Sequence, residues 1–171
     1  MKLKLLFTAL CLIAIGLWTS HAQMQTKIGA ALAYGTEIEN IGLGATAEFH
    51  IAERISLSPN FIYYFPKEEG PIKVNWWEIN ADGHYYFLAD EGIQVFGLAG
   101  VNYSQVKVKS DIDFGPFGGG DFEASDDRVG LNIGAGINFD LGSNLVPFAK
   151  LKYVIIDEGQ AVIAAGVKFK I

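Results

Sequence analysis

Charged and imidazole side chains recur at alternate positions along this chain: Glu48 with His50, Glu78 with Asp82 and His84, then Arg128, Asp140, Lys150 with Lys152, and Lys168 with Lys170. Carboxylates, imidazoles and amines gathered in one place could relay protons, line an ion path or form an acid–base cluster. They could also pair simply as ions, because an isolated buried charge is costly. The spacing favours pairing. No serine lies two residues from either His50 or His84, so a His-x-Ser nucleophile arrangement is missing. The two histidines fall on separate segments with no HxxxH-type spacing, which makes a poor metal set. Cys11, the sole cysteine, lies in the N-terminal apolar run, so no disulfide or zinc-thiolate site follows once that run is removed. A second set lies between Lys109 and Asp127, where Asp111, Asp113, Asp121, Glu123, Asp126 and Asp127 are interleaved with Phe114, Phe117 and Phe122. Its acidic spacing does not match an EF-hand loop. It reads as a solvated acidic loop or, if functional, as a surface-recognition loop through Asp111, Asp113, Phe114, Phe117, Asp121 and Phe122.

The elements that carry these residues alternate with period two. Val129, Leu131, Ile133, Ala135, Ile137, Phe139 and Leu141 share one parity against Arg128, Gly130, Asn132, Gly134, Gly136, Asn138 and Asp140. A helix would scatter those apolar residues around its surface, so the segment predicts a strand. Ile41–Ile51 and Trp77–Phe87 alternate as cleanly. Ile28–Gly35, Ile55–Phe65, Leu145–Tyr153 and Ile163–Ile171 follow less perfectly. Ile93–Lys109 is mixed, since Phe96 and Leu98 share parity with Gln94, Asn102 and Ser104. Eight strands are predicted. Tight turns at Ala52–Arg54, Leu88–Gly92 and Gly142–Asn144 alternate with mostly longer connectors at Pro66–Lys73, Lys109–Asp127 and Asp157–Gln160; Thr36–Asn40 is the short exception.

Composition bounds the function. With 171 residues, 50% hydrophobic and 19% charged, the chain holds one domain and is too apolar for intrinsic disorder. A net charge of −6 argues against a nucleic-acid-binding surface. Lys2 and Lys4, the apolar run Leu5–Trp18 and the small-x-small exit Ser20-His21-Ala22 predict a cleaved signal peptide over 1–22. The run is shorter than the roughly 20 residues of a spanning helix. The expected mature chain, 23–171, forms a single domain.

Two all-β readings place the faces oppositely: a soluble barrel with its apolar face inward, or a membrane barrel with its apolar face on lipid. Three features favour the second. The polar faces are also small, with Gly29, Gly42, Gly44, Gly130, Gly134, Gly136 and Gly166, as a narrow interior requires. Aromatics on the apolar faces gather near strand ends, with Tyr34, Tyr63, Trp77, Tyr103 and Tyr153 at one end and Phe49, Tyr85, Phe87, Phe139 and Phe169 at the other. Strands of about 9–11 residues span a bilayer, and eight of them fill the chain. A fourth feature adds to these: Gly166, Phe169 and Ile171 at the terminus resemble the signal by which bacterial outer-membrane barrels are recognised for assembly.

The whole mature chain thus resembles the small eight-stranded outer-membrane β-barrel proteins, the OmpA/OmpX-like group. That resemblance implies an all-β, antiparallel up-and-down transmembrane barrel in the outer membrane of a Gram-negative bacterium, a porin-like architecture with a narrow, largely filled lumen. It implies a non-enzymatic envelope role without cofactor, with outer-membrane lipids and the barrel assembly machinery as partners. A surface adhesin or receptor working through 109–127 is the alternative, its extracellular ligand unknown.

Overall fold

The computed structural model describes residues 25–70, 72–90, 92–113, 119–157 and 159–171; the expected signal segment 1–22, Phe114 and Phe117 lie outside them. Eight strands follow in chain order: β1 (Thr26–Gly35), β2 (Asn40–Ala52), β3 (Ile55–Glu69), β4 (Ile72–Ala89), β5 (Gly92–Asp113), β6 (Gly119–Asp140), β7 (Leu145–Ile155) and β8 (Gln160–Lys170). Each pairs antiparallel with the next, and β8 returns to β1 to close the barrel. Closure leaves no sheet edge within the barrel wall. No helix among the described residues is long and apolar enough to cross a membrane, a statement that says nothing of strands.

The alternation sorts residues to the two sides of the wall. Outward stand Ile28, Leu32, Leu43, Ile79, Val101, Leu131, Ile133, Leu151 and Ile163, all exposed, while Glu48, Glu78, Asp82, Lys152 and Lys168 are buried inside. Gly166 shows why one strand contact needs glycine: a Cβ there would run into the backbone of Ala30 and Ala31 on β1. Tight turns at one end use left-handed glycines, Gly92 at φ 103° and Gly142 at φ 72°.

The mixed segment 93–109 resolves into one continuous strand. Phe96 and Leu98 point inward and are buried beside Tyr86, so large apolar side chains fill part of the lumen. Val146 and Phe148 on β7 do the same.

Two of the expected long connectors need correction. Most of Pro66–Lys73 and Lys109–Asp127 is paired strand. Lys67↔Val74 and Glu69↔Ile72 extend β3 and β4, and β5 pairs with β6 as far as Asp113↔Gly119. Asp111, Asp113, Asp121 and Phe122 are therefore strand residues, not loop residues. The phase of the alternation inverts where these strands leave the apolar band. Within the band Ile79, Val101 and Leu131 face outward. Beyond it the outward positions are Lys107, Lys109, Glu123 and Asp127, and Val74, Trp76, Val106 and Val108 turn inward. The outward face thus changes from apolar to charged along each of these strands, and period-two reading across that change looks like a loss of pattern.

Candidate functional site

The lumen holds three stacked layers of side chains. In the layer nearest the tight turns, Glu48 is the centre. Lys168 Nζ on β8 donates to its Oε2 at 2.6 Å, Tyr86 Oη on β4 donates to Oε1 at 2.5 Å, and Lys27 Nζ on β1 lies 3.4 Å from Oε1. His50 Nε2 and His84 Nδ1 stand 3.5 and 3.9 Å from the same carboxylate. Lys168 also donates to Asn138 Oδ1 at 3.0 Å and lies 4.6 Å from the centroid of the Phe148 ring. His84 stacks on Phe96 with centroids 4.3 Å apart, and His50 on Tyr86 at 5.4 Å.

The middle layer is an amide and ion network. Lys152 Nζ donates to Glu78 Oε1 at 2.8 Å and to Asn80 Oδ1 at 2.7 Å. Asn80 Oδ1 also accepts from Asn102 and Asn132. Asp82 accepts from Asn132 at 2.7 Å and Asn60 at 2.9 Å, with Lys150 Nζ 3.8 Å away. Every charge in this layer has an opposite charge within 4 Å, which is how buried ions become tolerable. Above it lies an apolar layer of Ile38, Ile62, Tyr64, Trp76, Val154 and Val162.

The remaining predicted residues sit at the rims. Lys170 pairs with Asp140 at 2.7 Å at the tight-turn end, and Lys168 is the β8 lysine that reaches Glu48. Arg128 donates to Asp126 at 2.7 Å and lies 5.8 Å from the centroid of Trp76, at the opposite mouth. Spacing missed Lys27, because its strand was expected to begin at the first apolar residue, Ile28. Its shared parity with Gly29 was the available signal. The amides Asn60, Asn80, Asn102 and Asn132 carried inward parity but no chemistry that marked them as a hub.

Beyond the apolar band, the β5–β6 hairpin is laced by charge. Glu123 receives Lys107 at 2.7 Å and Lys109 at 3.1 Å, and these hydrogen bonds hold its carboxyl below the usual carboxylate range. Gln105 donates to Asp127 at 2.7 Å. β6 pairs with β7 only from Leu131, so the side of Gly119–Val129 away from β5 has no strand partner among the described residues. Phe122 is 63% exposed on the inward side of this hairpin.

No group of three or more His, Cys, Asp or Glu among the described residues is arranged to hold a metal ion. Ser56 on β3 is buried cross-strand between His50 and His84, and no hydrogen bond joins its hydroxyl to either imidazole.

A closed, eight-stranded, up-and-down barrel with apolar residues outside and charges inside has the architecture of the small outer-membrane β-barrels. Solved structures of that class share the fold. The attachment invasion locus protein Ail of Yersinia pestis is 20% identical with a TM-score of 0.57, over 85% of this chain and 97% of Ail. Neisserial surface protein A is 16% identical with a TM-score of 0.60, over 88% of this chain and 98% of that one. A major outer membrane protein from Thermus thermophilus is 11% identical with a TM-score of 0.64, over 88% of this chain and all of that one. No family model matches the sequence. No curated protein matches it.

Proposed function

We propose that the chain is an integral outer-membrane protein of a Gram-negative bacterium with a non-enzymatic envelope role and a lumen closed to diffusion. One observation carries this reading: the molecule is inside out, with Glu48, Glu78, Asp82, Lys152 and Lys168 buried and a continuous wall of Leu, Ile, Val, Phe and Tyr exposed. In water such a wall would aggregate, whereas hydrocarbon accepts it. Closure supplies the other requirement of a bilayer, a backbone paired all round. Three layers of buried side chains across the lumen support a closed interior. Residues 1–22 act as an export signal, and Gly166, Phe169 and Ile171 present β8 to the assembly machinery; outer-membrane lipids are the other partner, and no cofactor is needed. The test is cell fractionation with a heat-modifiability gel and planar-bilayer recording. Outer-membrane recovery, a shift on boiling and conductance far below that of a diffusion porin are expected. Recovery in the soluble periplasm would overturn the location, and a large steady conductance would overturn the closed lumen.

The acidic β5–β6 hairpin supports a second reading, a surface adhesin or receptor. Its β6 edge, without a second strand partner among the described residues, offers backbone donors and acceptors to an added strand, and Glu123 and Asp127 favour one with basic residues at alternate positions. Removing 107–125 should abolish cell or matrix adhesion and leave the barrel heat-modifiable. Unchanged adhesion would eliminate this reading.

A further inference from the structure

The outer wall is not uniformly convex. A groove of about 810 Å³ crosses β8, β1, β2, β3 and β4 in the half nearest the tight turns. Ala45, Ala47 and Pro59 form its floor, and Ile28, Phe61 and Ile79 its ridges. It runs to Leu145 and Phe169 at the tight-turn rim, the end that also carries both ends of the barrel chain, Thr26 and Ile171, and that we place in the periplasm.

The floor coincides with a break in the wall. The β2–β3 ladder runs from Gly42↔Tyr64 to Thr46↔Asn60 and resumes only at Phe49↔Leu57. On its other side β3 pairs with β4 without interruption through Pro59↔Ala81. Proline has no N–H to give. The missing donor therefore faces β2, and the carbonyl of Ala47 opposite Pro59 loses its ladder partner. On the lumen side the Thr46 and Ser58 hydroxyls, 3.2 Å apart, tie the two strands across the same gap. On the outer side Ala47 and Pro59, at this gap, line the groove.

We infer that this groove holds one acyl chain of an inner-leaflet phospholipid, retained by the protein and not freely exchanged with the bilayer. The inference rests on the membrane reading above. The groove is continuous with the apolar wall, so what fills it comes from the hydrocarbon that the wall meets. Its floor of small side chains between aliphatic and aromatic ridges leaves room for a methylene chain. Its opening at the periplasmic rim selects the inner leaflet, whose phospholipid headgroup would lie level with Leu145 and Phe169. A seated chain also shields the weakened Ala47–Pro59 seam from strand separation.

The experiment refolds the mature chain into vesicles of phosphatidylethanolamine and phosphatidylglycerol, releases it in mild non-ionic detergent and counts bound lipid by native mass spectrometry. The parent should carry one phospholipid per barrel. Ala47→Phe and Ala45→Phe fill the floor and should reduce the lipid-bound fraction at least tenfold, while Ala135→Phe, outward on β6 away from the groove, should not change it. A boiling shift on a gel verifies that each variant has folded. A heat-modifiable parent without retained lipid would overturn the inference and leave the membrane reading standing. Equal lipid in Ala47→Phe and the parent would overturn it as well, and so would a dimer that dissociates on Ala47→Phe, which would make a second copy the occupant. A parent that neither inserts nor shifts on boiling would overturn the membrane reading itself.

Discussion

Glu48 is the most heavily committed side chain in the lumen, facing two lysines, a tyrosine hydroxyl and two imidazoles. Its worth lies less in the attraction it supplies than in what its absence leaves behind. Glu48→Leu would strand Lys27 and Lys168 in a dry interior, and breaking a buried ion pair from one side costs about 3–5 kcal/mol. Pairing it with Lys168→Met removes one stranded charge and should recover part of the loss. Urea unfolding from lipid vesicles measures both; a single variant as stable as the parent would show that the cluster is already hydrated or redundant. Part of this cluster is legible in the sequence, because Glu48 and Lys168 carry inward parity on strands that closure places on either side of β1. Lys27 is not, since a strand located by its first apolar residue loses the polar residue that precedes it. The pairing of Lys170 with Asp140 is equally hidden, because two rim residues on β6 and β8 are matched by barrel stagger and not by spacing.

Among the strands, legibility depends on which solvent each side of the wall meets. β2 and most of β6 alternate cleanly because one side is uniformly apolar and the other uniformly small or polar. β5 does not: Phe96 and Leu98 fill the lumen, and farther along its phase inverts so that Lys107 and Lys109 face outward. Ile133 lies on the clean part of β6, exposed between Leu131 and Ala135, where Ile133→Arg should cost about 2–4 kcal/mol at the bilayer midplane. Ser125→Arg, on the outward side of the same strand beyond the band, should cost little; equal costs in vesicle unfolding would show that the band is misplaced. The hairpin carries its own pH dependence. Lys107 and Lys109 hold the Glu123 carboxyl below its ordinary range, so the ionised form is favoured in the folded hairpin. Their contribution is complete above the ordinary Glu value of about 4.3 and is lost as pH falls through the lower folded value. Amide exchange in 107–123 should therefore stay constant from neutral pH down to about that value, after correction for intrinsic rates, and then accelerate. In Glu123→Gln the acid-dependent acceleration should disappear; if it persists unchanged, other carboxylates control the hairpin.

For the molecule as a whole, closure is the event on which everything else depends, and β8 performs it. β8 is paired on both sides, with β1 from Lys27↔Lys170 to Gly35↔Val162 and with β7 from Leu145↔Phe169 to Val154↔Gln160. It also delivers Lys168 to Glu48, so the last strand completes the wall and the lumen network together. Phe169 is half exposed on the outer wall, opposite Ile28 on β1 and Leu145 on β7. Two roles for it make different predictions. If Phe169 only packs, Phe169→Ala loses less than the about 3–5 kcal/mol typical of a fully buried Phe, and insertion in cells follows the stability measured in vesicles. If it is also read by the assembly machinery, insertion in cells falls well below what vesicle folding allows, with periplasmic accumulation or degradation. Phe61→Ala provides the comparison, because Phe61 is similarly exposed on the outer wall but belongs to an internal strand. We expect the two variants to fold comparably in vesicles and only Phe169→Ala to fail in cells. Equal insertion of both would assign Phe169 to packing alone and leave the terminal Gly166-x-x-Phe169-x-Ile171 pattern without a role in recognition.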